Sequence, residues 1–99
     1  GFAAAFDEAA AIVRAAPDGF GVTLDLDAFD PRLVPGVGSP EPDGLDTGTT
    51  LDALRRLARE PGLCGMEIVE YNPDRDRGGV TADLIADLVG LLLPRRARA

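Results

Sequence analysis

Phe20-Gly21-Val22-Thr23-Leu24-Asp25-Leu26-Asp27, a short apolar run that ends in carboxylates, decides how this chain is read. β-Branched Val22 and Thr23 sit among apolar neighbours, so Phe20 to Leu26 reads as a buried strand. Its end carries Asp25 and Asp27, followed by Asp30-Pro31. Residues i and i+2 of a strand share a face, so the parity places both carboxylates side by side. Like charges repel unless a cation lies between them. Hard divalent ions take carboxylate oxygens, and ligand sites of open α/β sheets lie beyond the carboxyl ends of strands. Read alone, the pair is open to two readings: a cation site, or solvated acids that cap the following turn.

Upstream, Phe2, Phe6, Ala9, Ala10 and Val13 recur at helical spacing, and Pro17-Asp18-Gly19 ends that helix. Downstream, 27–46 is a long loop with Pro31, Pro35, Pro40 and Pro42, a density that excludes regular helix. A loop this long in a small domain is expected to be functional. Asp46 or Thr47 caps a second helix with the stripe Leu51, Leu54, Leu57 and Ala58, and Arg55, Arg56 and Arg59 outside. Cys64 to Tyr71 reads as a second strand, stopped by Asn72-Pro73. Cys64 is expected in the core, and Asp74-Arg75-Asp76-Arg77 as a solvated, charge-paired turn. Val80, Leu84, Leu88, Leu91 and Leu92 build a third helix, ended by Pro94, with Arg95 to Ala99 as a frayed basic tail.

The order α-β-α-β-α, with a helix between strands, predicts parallel pairing through a right-handed crossover. The fold class is therefore α/β, a three-layer α/β/α arrangement with a parallel sheet. Two strands are too little sheet to close such a core, so 1–99 reads as the C-terminal part of one larger domain. Parallel pairing brings Glu70, at the end of the second strand, to the same edge as Asp25. Glu67, three residues earlier, is expected on the opposite face. Pro35-Gly36-Val37-Gly38-Ser39-Pro40 lacks the Lys-Ser/Thr of a phosphate loop and opens no helix directly.

Composition narrows the function. The 99 residues carry 10 basic and 17 acidic groups, a net charge of −7, which argues against a nucleic-acid binder. There is no His, which removes the commonest neutral-pH acid–base group and any Ser-His-Asp system within this chain. All basic residues are Arg. One cysteine cannot form an internal disulfide and suits a reducing cytoplasm. No apolar run reaches the ~20 residues of a membrane span. Gly1-Phe2-Ala3 has neither an initiator Met nor a basic leader, so the chain reads as beginning within a larger one.

Taken together, Val22 to Pro31, Pro35 to Pro40 and Gly44-Leu45 resemble the signature of the ureohydrolase (arginase/agmatinase) family. Gly65 to Pro73 and Gly79-Val80-Thr81-Ala82 are similar to that family's next strand and helix. The resemblance implies a metal-dependent hydrolase that cleaves a guanidino group, usually releasing urea, with two Mn²⁺ ions that acidify a shared water. It implies Asp25 and Asp27 as metal ligands, Glu70 as the carboxylate for the substrate guanidinium, Ser39 near the substrate, and Asp30 as an anchor of the loop behind them. It also implies a homo-oligomer in full-length form, while the cysteine, charge and hydropathy readings above give the expectation of a cytoplasmic protein with no nucleic-acid or membrane partner. The family's His ligands, catalytic His and substrate-tail contacts are expected upstream, in a missing N-terminal part. No catalytic residue is therefore assigned within this chain, and the chain alone is expected to be inactive. The alternative is a non-catalytic or degenerate module of the same family. A haloacid-dehalogenase-type phosphotransferase also uses Asp-x-Asp after a strand, but wants a Gly-containing turn and a Lys. Here Phe29-Asp30-Pro31 follows, and the chain has no Lys.

Overall fold

Strands β1 (Phe20–Asp25) and β2 (Leu63–Val69) pair in parallel, as the strand–helix–strand order predicts. The computed structural model describes residues 1–39 and 43–93. Helix α1 (Phe2–Arg14) precedes β1, α2 (Thr47–Leu57) makes the crossover, and α3 (Val80–Leu92) follows β2. Pro40 and Pro42 of the long loop, Pro94 and the tail from Arg95 lie outside the described residues. Among the described residues no helix is long and apolar enough to cross a membrane.

Each helix forms where its periodicity places it. Asp46 caps α2, its carboxylate accepting the Thr49 N–H at 2.9 Å. Ala53, Leu54 and Leu57 of α2 meet Leu84, Leu88 and Leu92 of α3 in the core. Val22 and Leu24 of β1, with Met66 and Ile68 of β2, close it from the sheet side. Helix α1 lies at the rim with no fully buried residue. Phe6 and Ala10 pack on the core, and the ion pairs Arg14–Glu60 (2.7 Å) and Asp7–Arg56 (3.1 Å) hold α1 in place.

The helices share this one core on one sheet face. The other face, with Gly21, Thr23, Asp25, Gly65 and Glu67, is exposed. Glu67 stands opposite Thr23 and accepts its hydroxyl at 3.2 Å, on the same exposed face as Asp25. Two strand ends differ from expectation. β1 stops at Asp25 rather than Leu26, and β2 at Val69 rather than Tyr71. Cys64 is exposed rather than a core residue. A register shift between Phe20 and Gly21, partnered by Leu63 and Gly65, skips Cys64 and turns it out of the alternation.

Candidate metal and guanidinium site

The carboxyl end of β1 is a capped turn. Asp25 Oδ1 accepts the Asp27 N–H at 2.8 Å and closes a single 3₁₀ turn over Leu26–Ala28. Asp27 is therefore off the strand, and the i/i+2 parity expected from the sequence does not relate the two side chains. A short local hydrogen bond to backbone has overridden strand continuation. Leu26 plugs the core beneath the turn. Phe29, fully buried, bridges to Leu45. Leu45 donates its N–H to Ala28 O at 2.7 Å, and Asp30 donates its own to Leu45 O at 3.0 Å. Gly44 must be glycine here, because a Cβ would lie 2.5 Å from the Phe29 carbonyl.

Asp30 serves the loop mechanically. Its carboxylate takes the Arg32 guanidinium at 2.6 Å and the Arg32 N–H at 2.9 Å, and its carbonyl accepts from Leu33 and Val34. The side-chain hydrogen bond from Arg32 holds the Asp30 carboxyl below its usual range.

A second strap comes from the segment after β2. Val37, fully buried, pairs antiparallel with Tyr71. Asn72 N–H donates to Gly36 O at 2.8 Å, and Gly38 N–H to Glu70 O at 3.1 Å. Thr81 Oγ1, wholly buried, accepts the Gly36 N–H at 2.8 Å. Ser39 then donates its N–H to Asp27 Oδ1 at 2.9 Å. Asp25, Asp27, Gly38, Ser39 and Glu70 thus form one continuous set at the carboxyl edge, joined through main chain. In the register Asp25 stands opposite Val69, so Glu70 follows one residue beyond it. Glu70 sits in the left-handed region, φ +70°, and Gly38 leaves room for its carboxylate, since a Cβ there would overlap Oε2.

The turn 74–77 is not charge-paired within itself. Arg75 Nη1 reaches across to the Gly38 carbonyl at 2.9 Å. Asp76 caps α3, taking the N–H groups of Thr81 and Ala82 and the Tyr71 hydroxyl at 2.9 to 3.0 Å. Desolvation pushes the Asp76 carboxyl up, and these hydrogen bonds outweigh it and leave it below the usual value. The bond to Asp76 raises the Tyr71 phenol. Arg75 is the residue that the sequence reading missed. Its i+1 and i−1 acidic neighbours advertise a local pair, and its real partner is 37 positions away.

The described residues form ion pairs Arg14–Glu60, Arg32–Asp30, Arg55–Asp52 and Arg56–Asp7, and none of these engages Asp25, Asp27 or Glu70. Asp25 and Asp27 each use one oxygen to accept a backbone N–H. An all-oxygen, anionic donor set fits a hard divalent ion such as Mn²⁺. Among the described residues no three His, Cys, Asp or Glu side chains cluster closely enough to hold one. An exposed carboxylate beside that donor set fits a planar guanidinium through two parallel hydrogen bonds.

The model of the arginase family matches residues 1–93. An arginase of Brevibacillus brevis is 40% identical over 90% of this chain and 30% of its own length. An agmatinase of Pyrococcus horikoshii is 34% identical over 94% of this chain and 32% of its own. The crystal structure of arginase from Bacillus caldovelox superposes with a TM-score of 0.86 at 33% identity, covering 99% of this chain and 33% of that one. The chain spans about a third of the length of these relatives.

Proposed function

The chain belongs to the arginase family, and from that premise we propose that it is the C-terminal part of a metal-dependent ureohydrolase acting on a small, linear guanidino compound. One observation carries the reading. Three carboxylates with no Arg partner among the described residues, Asp25, Asp27 and Glu70, stand at one sheet edge and are joined by the backbone of Gly38 and Ser39. Asp25 and Asp27 would hold Mn²⁺, and Glu70 would take the guanidinium. Ser39 lines the same edge through its backbone bond to Asp27, and Asp30 anchors the loop through Arg32. When bound, a metal pair supplies an activated water at neutral pH. This chain's residues orient and neutralise: two carboxylates offset the metal charge, and the third fixes the planar cation. The remaining ligands and the catalytic base belong to a partner segment, the N-terminal part of the same fold. The chain alone is inactive, and the whole is a cytoplasmic homo-oligomer.

The test is calorimetric titration with Mn²⁺ of this chain, alone and completed by its N-terminal part, beside Asp25→Asn. The amide keeps an oxygen for the Asp27 N–H while removing the charge. Tight binding and urea release only in the completed mixture, both lost in the variant, are expected. Completion that gives neither metal binding nor hydrolysis would leave a non-catalytic module of the family.

A further inference from the structure

We infer that Arg75 is a positioning residue for this site, acting through the peptide between Gly38 and Ser39. The carbonyl of that peptide accepts from Arg75 Nη1 at 2.9 Å, and its N–H donates to Asp27 Oδ1 at 2.9 Å. A trans peptide is planar, with C=O and N–H pointing in opposite directions, so fixing one end fixes the other. A cation on the carbonyl also polarises the amide and strengthens its N–H as a donor. Glycine at 38 makes the plane unusually free to rotate, which is what gives a clamp its purpose. The same residue carries the contact to Glu70: its N–H donates to Glu70 O, and its missing Cβ makes room for Oε2. Rotation of the 38–39 peptide therefore disturbs the Asp27 donor, next to the Gly38 N–H and Cα that face Glu70. Arg75 is itself held in place. It ends the turn Pro73–Arg75, whose Asn72 cap takes the Asp74 N–H at 3.0 Å and donates its own N–H to Gly36 O.

This inference rests on the function proposed above, because it makes Asp27 a metal ligand. The experiment is Mn²⁺ titration of the full-length protein by calorimetry, with KM and kcat for a guanidino substrate and thermal unfolding of the metal-free form. The variants are Arg75→Ala, Arg75→Met, which keeps the apolar stem, and Arg75→Lys, which keeps a cationic donor. Loss of support for a metal ligand typically weakens binding about 10- to 100-fold. About tenfold weaker Mn²⁺ binding in the Ala and Met variants is expected, with substantial recovery in Lys and little change in metal-free unfolding. Mn²⁺ affinity within about twofold of wild type in Ala and Met, or Lys no better than Ala, overturns the inference. So does a fall of more than about 10 °C in metal-free unfolding of both truncations, which makes the role structural. Wild-type protein that binds no Mn²⁺ overturns the functional reading itself, and this inference with it.

Discussion

Replacing Thr81 by Val should cost more stability than replacing it by Ser, the reverse of what hydrophobicity alone would give. Thr81 is fully buried, and its hydroxyl accepts the Gly36 N–H at 2.8 Å in the interior. Val has the same shape, so no cavity opens, but the buried N–H loses its only acceptor. An unsatisfied buried donor costs about 1–3 kcal/mol, and burying one extra methyl returns less than ~1 kcal/mol. Ser keeps the hydrogen bond and deletes one methyl group, for about 0.5–1.5 kcal/mol by analogy with Ile→Val. We take a loss of about 2 kcal/mol for Thr81→Val and ~1 kcal/mol for Thr81→Ser. With a urea slope of about 1–1.5 kcal/mol/M, the Val midpoint should fall by roughly 1.3–2 M and the Ser midpoint by half of that. Urea unfolding followed by circular dichroism reads both. A Val variant as stable as wild type, or more stable than Ser, would refute the claim that this bond holds the loop to α3.

Two further outcomes follow from the same geometry. Glu70 at φ +70° stores strain that glycine lacks, so Glu70→Gly should raise stability by about 1 kcal/mol while Glu70→Ala gains nothing, and both should abolish guanidinium binding. Equal urea midpoints for Gly and Ala would remove the strain argument. Asp30, Asp46 and Asp76 all have folded-state pKa values below their ordinary ones, Asp30 and Asp46 through hydrogen bonds from Arg32 and Thr49, Asp76 through those that outweigh its desolvation. A lowered pKa stabilises above the unfolded value of about 3.9 and is lost as pH falls through the folded value. The unfolding temperature should therefore drop on acidification below about pH 4 and drop less in Asp30→Asn, whereas identical pH profiles would show that this pair contributes nothing to the linkage.

The sequence makes the regular elements legible and hides the local exceptions, for a physical reason. Helix periodicity and the Asp46 cap depend on patterns within a few residues, and the parallel sense of pairing on the strand–helix–strand order, and the structure keeps them. The misread points are those where a side chain's partner is decided by tertiary placement. Asp25 bonds its own turn and so removes Asp27 from the strand. Cys64 is skipped by a register shift that nothing in its neighbourhood announces. Glu70 takes a left-handed backbone that a β-strand pattern cannot encode. Arg75 has acidic neighbours in sequence and binds a carbonyl across the fold. Three of these four points fall on the candidate site, where local rules are expected to give way.

The manner in which the site's carboxylates are held argues for a cationic ligand beyond their mere presence. Arg side chains neutralise Asp30, Asp52, Asp7 and Glu60. Asp25 and Asp27 are held by backbone N–H groups, as the helix caps Asp46 and Asp76 are. An N–H dipole orients a carboxylate without cancelling its charge, whereas a guanidinium would occupy both oxygens and exclude a second cation. Arg75, a cation close to the edge, donates to a carbonyl and reaches Asp27 through the amide. The charge is thereby kept available while the geometry is fixed, the pre-organisation that a metal or guanidinium site requires.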